Sequence, residues 1–254
     1  MRQLAAVSWR PISVLLLLFI AWETSVRLFH IETWLLPSPI AVIKEAYSSW
    51  GSFSMHLLAT IRLSFLGFGI GTIFGLFIAI ILHLVPFLRK SFYPLLILSQ
   101  NIPIIVLAPL LVIWFGFGIL PKIIVIILVC FFPITIACLD GFRQTSAELK
   151  HYMIMSGSNK QQLFWKLEWP YALPSIFSGL KISATYSVMG AVISEWLGSK
   201  EGIGVYMTLS SSSFRTDRVF VAIFAIMLLS LLFFLIIKLL EKLCIKGNRK
   251  KESS

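Results

Sequence analysis

Residues 147–174 read AELKHYMIMSGSNKQQLFWKLEWPYALP. They lie in and just beyond Asp140 to Trp169, the one long hydrophilic stretch between apolar runs, and they are patterned rather than loose. Ala147 to Met155 can form a short helix. Gly157 then stops it, as glycine does where a helix closes through a left-handed residue. Ser158 or Asn159 caps a second helix, Lys160 to Leu167. Pro170 and Pro174 set the approach to the next apolar run. A stiff two-helix elbow rich in Met, Tyr, Phe and Trp suits a groove on a partner protein. The same residues also fit a plain helix lying in a membrane interface.

Outward from the elbow, apolar runs cover about Pro11–Phe29, Thr60–Val85, Phe92–Phe115, Lys122–Leu139, Tyr171–Leu197 and Val219–Leu240. The 254-residue chain is 58% hydrophobic and only 13% charged, with a mean hydropathy of +0.90. Soluble domains carry about 25% charged residues, and a folded surface in water needs that polar cover. Six spans at roughly 20 residues each account for the length. The expected fold is an all-α integral membrane protein of about six transmembrane helices with a cytoplasmic elbow. The first run reads as an uncleaved span, because Trp22 and Glu23 stand where a cleavage site needs small residues. Leu36 to Pro39 signals a turn, and Ile40 to Trp50 an amphipathic interfacial helix. Pro86–Ser91 reads as a short loop, and Gly198–Arg218 as a Ser/Gly-rich one.

With both termini in the cytoplasm, 15 of the 22 Lys and Arg fall on the inner side. The positive-inside rule favours that topology and places the elbow inside. It also accounts for the net charge of +11 without nucleic acid, since no basic arm interleaved with aromatics occurs. Cys130, Cys138 and Cys244 have no CxxC spacing and read as ordinary apolar positions.

Gly67, Gly71 and Gly75 form a GxxxGxxxG stripe that lets two helices approach closely in lipid. The third run is broken at Ser99–Pro103. Gln100 and Asn101 there either line a translocation path or hydrogen-bond between helices. No GxxxxGK[ST] phosphate loop, HExxH or GxSxG motif appears. Buried acids of the kind ion-coupled carriers use are nearly absent; Glu195 is the main exception.

The pattern of helix, Gly157, helix, then Pro170, Ala172, Leu173, Pro174, Gly179 and Leu180 resembles the EAA loop of type I ABC importer permeases, the MetI-like fold. His151-Tyr152-Met153 replaces the triplet that names the loop. Glu195-Trp196-Leu197-Gly198 and Glu201-Gly202-Ile203-Gly204-Val205 resemble the same family, and the likeness runs from about Leu57 to Leu240. Gln100–Ile104, Ala108–Leu110, Ile113–Gly118 and Phe131–Ile134 are similar to the nitrate/sulfonate/taurine subgroup. Leu120–Lys122 and Cys130–Pro133 resemble its branch for pyrimidine precursors of thiamine.

This resemblance implies a transport subunit of a bacterial inner membrane that is not itself an enzyme. It implies a permease homodimer, separate ABC ATPase subunits that bind ATP and Mg, and an extracytoplasmic solute-binding protein. No cofactor is expected on this chain. ATPase-coupling candidates are Glu148, His151, Tyr152, Met153, Gly157, Ser158 and Leu163. Path candidates are Gln100, Asn101, Ser183, Thr185 and Ser187. The expected division is an amino-terminal span and interfacial segment over 1–56, a permease core over 57–240, and a basic tail over 241–254. The competing classes are a sulfonate, taurine or nitrate importer, a self-contained secondary carrier, and a structural membrane subunit.

Overall fold

The computed structural model describes residues 2–251. Positions 252–254 of the basic tail lie outside the described residues, as do the side chains of Arg2, Arg10, Lys246, Arg249, Lys250 and Lys251. The described chain is helical throughout, without strands. Its elements are α1 (Arg2–Leu28), α2 (Pro39–Ser48), α3 (Trp50–Leu84), α4 (Pro86–Ser99), α5 (Ile104–Phe115), α6 (Ile119–Arg143), α7 (Ala147–Met155), α8 (Lys160–Leu163), α9 (Trp169–Glu195), α10 (Ile203–Ser212) and α11 (Thr216–Lys251). A single π-helical turn, Phe164–Glu168, joins α8 to α9.

Among the described residues, five stretches are long and apolar enough to cross a bilayer. The pair α4–α5, bent by 100° at its break, brings the number to six if it counts as one span. With 35 residues, α3 is about 52 Å long at 1.5 Å per residue. That exceeds a hydrocarbon core of about 30 Å, so α3 projects well past the lipid.

At the centre of the fold α6 packs between α3 and α9. Small residues make these approaches possible. A Cβ on Gly67 would sit 2.5 Å from Ile126 Cγ2, one on Gly71 2.9 Å from Cys130 Cβ, and one on Gly75 3.1 Å from Ile134 Cγ2. On the other flank, a Cβ on Gly179 would meet Ala137 Cβ at 2.7 Å, and one on Gly141 would meet Ser175 Cβ at 2.9 Å. In lipid, where apolar burial drives little helix association, this closeness maximises dispersion contact. Ala108 and Leu111 hold α5 against Val125 and Val129 of α6.

At the periphery, Trp22 of α1 lies against Phe220 of α11, with ring centroids 5.3 Å apart. Glu23, an acid in a lipid-facing helix, bonds Arg27 at 2.6 Å and accepts from the Ile40 amide at 3.1 Å. Its charge is thereby met at the first residues of α2. Ser38 caps α2 by accepting from Ala41 N, and Pro39 occupies the first turn, where its missing N–H costs nothing.

Three sequence readings change. Pro86–Ser91 is no loop, because Pro86 opens α4 as a first-turn proline. The 198–218 stretch contains α10: the Glu195 carboxylate accepts from Gly204 N at 2.8 Å and satisfies an amide of that helix's first turn. The elbow's second helix does not stop at Leu167 but runs through the π turn into α9. Within that turn Trp169 N bonds to Phe164 O, five residues back, and the widened turn receives Pro170 without breaking the helix.

Candidate functional site

The elbow is built from local hydrogen bonds. Ser146 caps α7 by accepting from Leu149 N at 3.3 Å, and its hydroxyl bonds to the Glu148 carboxylate. That hydroxyl bond, followed by Glu148's own amide, holds the Glu148 carboxyl below its ordinary range. Gly157 stands at φ +80°. Its amide donates to Ile154 O and that of Ser158 to Met153 O, both at 3.0 Å, which is the Schellman closure of a helix. Asn159 Oδ1 then accepts from Gln162 N at 2.8 Å, while Gln162 Oε1 accepts from Asn159 N at 3.0 Å. This reciprocal capping box starts α8.

His151, Tyr152, Gly157 and Glu148 are exposed at the tip, and Met153, Ser158 and Leu163 are half-buried. Tyr152 is 70% and Met155 76% exposed. The loop that bears His151 and Lys160 thus displays large apolar side chains on an exposed face.

What fastens this face to the membrane helices was not legible in the sequence. Glu168 Oε1 lies 2.6 Å from Lys150 Nζ, and its Oε2 lies 2.7 Å from His83 Nε2. Lys150 belongs to α7, Glu168 to the π turn, and His83 to the far end of α3. Glu168 is 7% exposed, so both oxygens need these partners. The His83 ring stacks on Phe142 of α6 at 4.4 Å, and Phe164 and Trp169 close the cluster. Because Nε2 faces a carboxylate, it carries the proton. His83 Nδ1 has no partner among the described residues. One elbow is thus locked to the ends of α3, α6 and α9 together.

A second clasp joins α3 and α9 away from the elbow, with the start of α10. Glu195, 2% exposed, accepts from Thr60 Oγ1 of α3 at 2.7 Å as well as from Gly204 N. Thr60 Oγ1 in turn accepts from Ile203 N at 2.8 Å, and His56 Nδ1 accepts from Gly202 N at 3.1 Å. Here the acid is a capping ligand for α10 within the protein.

The break between α4 and α5 opens a cavity of about 660 Å³ bounded by α6 and α9. Gln100 and Asn101 lie on its wall with Phe132, Pro133, Tyr186 and Met189. Asn101 Nδ2 donates to Ile97 O at 2.8 Å, leaving its oxygen unengaged. The fifth-span hydroxyls point elsewhere. Ser183 donates to Cys130 O across the α6–α9 contact at 2.9 Å, Ser187 to Ala184 O at 2.8 Å, and Thr185 to Lys181 O at 3.3 Å. None of the three lines this cavity. Tyr186 and Met189, one residue beyond Thr185 and two beyond Ser187, line it instead; a lone Tyr or Met in an apolar helix carries no signal to single it out.

Two polar clasps thus tie together helices long and apolar enough to span a bilayer, and a bent helix pair borders a cavity beside them; comparison with known proteins says which family builds this arrangement. Residues 71–246 match the family described as binding-protein-dependent transport system inner membrane component. The chain belongs to this family. It is an ABC importer permease, a multi-pass membrane transport subunit of the type I fold that groups with the nitrate, sulfonate and taurine permeases. The permease is 36% identical over 95% of its length, and 96% of the relative's, to the formylaminopyrimidine transport permease protein ThiX of Halalkalibacterium halodurans. It is 31% identical to the riboflavin transport system permease protein RibX of Chloroflexus aurantiacus, covering 96% of this permease and 93% of that one. It is 30% identical to the putative aliphatic sulfonates transport permease protein SsuC of Bacillus subtilis, covering 91% and 84%.

Proposed function

We propose that this permease imports a pyrimidine precursor of thiamine. The solute would be handed over by an extracytoplasmic binding protein and driven by separate ATPase subunits that hold ATP and Mg. The observation that carries the substrate is the 36% identity, along nearly the whole of both chains, to a formylaminopyrimidine permease. The lesser identity to a sulfonate permease supports a small-anion importer as the second reading.

The ATPase partner is inferred from the elbow. Its exposed Tyr152, Met155 and Trp165 offer a docking surface, and the Lys150–Glu168–His83 lock can pass displacement of that surface to three spans. Work delivered there would switch the permease between inward- and outward-open states. The loaded binding protein would favour the outward-open state by its differential affinity. A homodimer in lipid, with both termini and the elbow in the cytoplasm, completes the proposal. It accords with the wide apolar exposure of α4 and α5, where Leu98, Ile113 and Trp114 face outward.

The test is reconstitution in lipid vesicles with the binding protein and ATPase. ATP-dependent uptake of labelled 4-amino-5-hydroxymethyl-2-methylpyrimidine is expected. Uptake of taurine or nitrate in its place would establish the second reading. Uptake without any ATPase would overturn the importer assignment. Impermeant labelling of Lys160 from the exterior of intact cells would overturn the orientation.

A further inference from the structure

The cavity at the α4–α5 break has a chemical character that bears on what crosses it. None of the residues lining it is charged. Its polar groups are the amides of Gln100 and Asn101, the hydroxyls of Ser99 and Tyr186, and backbone at the break. Its apolar walls are mostly aliphatic, and among them stand the rings of Phe132 and Tyr186 and the thioether of Met189. Phe132 and Pro133 lie midway along α6 and Tyr186 just past the middle of α9, so the cavity opens beside the central parts of these spans, where discontinuous helices place solute sites.

An anion entering this space would find no cation among its lining residues, and a charge held away from bulk water without a partner is penalised. The amino end of α5 offsets little of this, about two- to fivefold in binding. A flat, uncharged, nitrogen-bearing ring loses much less. Its faces can stack on Phe132 and Tyr186, as heterocyclic bases stack on aromatic side chains. Its edge can pair with amides that both donate and accept.

We infer that this cavity is a solute subsite within the permease itself, one that admits uncharged planar nitrogen heterocycles through Tyr186, Phe132, Gln100 and Asn101 and excludes permanent anions. The inference rests on the importer reading above and goes beyond it, because it gives the permease a share of the selection otherwise left to the binding protein. Gln100 and Asn101 supply hydrogen bonds, Tyr186 and Phe132 supply stacking surface, and Met189 fills the remaining wall.

The experiment uses the complete complex in vesicles with saturating loaded binding protein, scoring ATP-driven uptake and ATP hydrolysis side by side. The probes are labelled 4-amino-5-hydroxymethyl-2-methylpyrimidine and labelled methanesulfonate, which stays anionic at any working pH. Tyr186→Ala and Gln100→Leu are expected to lower pyrimidine uptake about tenfold or more. Tyr186→Phe should stay within about threefold of the parent, and ATP hydrolysis should persist in all three, which shows that the complexes assemble. Parental pyrimidine uptake in both Tyr186→Ala and Gln100→Leu would overturn the subsite and leave the importer reading standing. ATP-driven methanesulfonate uptake by the parent complex would overturn the exclusion of anions. If the parent complex moved neither probe, the pyrimidine reading would fall and this inference with it.

Discussion

Lys150 and Glu168 meet at 2.6 Å, one at the start of the elbow and the other at its return to the membrane. The elbow is therefore a closed loop rather than a tether. A partner pressing on its tip moves both of its roots at once.

Breaking that closure should separate work from transport. Glu168→Gln keeps the shape but removes the charge that faces Lys150. Burial of the carboxylate makes the change costly, and the partial exposure of Lys150 reduces the cost, to about 1–3 kcal/mol. Solute uptake by the reconstituted complex should fall at least severalfold while ATP hydrolysis continues. Hydrolysis and uptake falling in equal proportion would instead mark a plain loss of folded protein.

The glycine stripe makes a position-specific prediction. Gly67→Ala places a methyl 2.5 Å from Ile126 Cγ2 and should destabilise by about 1–3 kcal/mol through overpacking. Gly69→Ala meets nothing within 4 Å and should be neutral or slightly stabilising, since alanine is the better helix former. Thermal unfolding of the two variants in one detergent checks the contrast. Equal midpoints would contradict the tight α3–α6 approach.

Gly157→Val tests the bend of the elbow. The position has open space around it but a φ of +80°. A β-branched residue is strained there by about 1–2 kcal/mol, so the effect should be confined to the elbow. The ATPase should no longer co-purify with the permease, while the unfolding midpoint of the isolated permease moves little.

Glu195→Gln sets an amide against Gly204 N and Thr60 Oγ1, where the carboxylate accepts from both. At least one of those donors loses its acceptor, at about 1–3 kcal/mol. Limited proteolysis between Gly198 and Gly202 should accelerate, and cleavage at an unchanged rate would argue against the capping role.

Much of this architecture was legible in the sequence, for specific reasons. The elbow's first helix, from Ala147 to Met155, emerged with its bounds because a glycine closes it. Of the two caps the sequence offers for α8, Ser158 and Asn159, the structure uses Asn159. The stripe of Gly67, Gly71 and Gly75 has the helical period that its packing role requires. The partners of Glu168 and Glu195 could not be read, because His83 and Thr60 are 85 and 135 residues away and periodicity says nothing about such distances. The helix α10 escaped notice because its serine-rich end looks like a turn and its start is stabilised by a carboxylate from another element. The Pro170 boundary failed because a proline usually ends a helix, and only the π turn's wider ring lets the helix continue.

The unbroken run from Lys160 to Glu195 carries a kinematic consequence. Glu168 stands near its lower end and Glu195 closes its upper end, about 40 Å apart at helical rise. A beam anchored by an acid at either extremity transmits tilt as a seesaw does. If the end that carries Glu168 swings one way, the same rigid body swings the end that carries Glu195 the other way, so moving both ends alike would require the beam itself to buckle. The wide turn beside Glu168 is the place where buckling would begin.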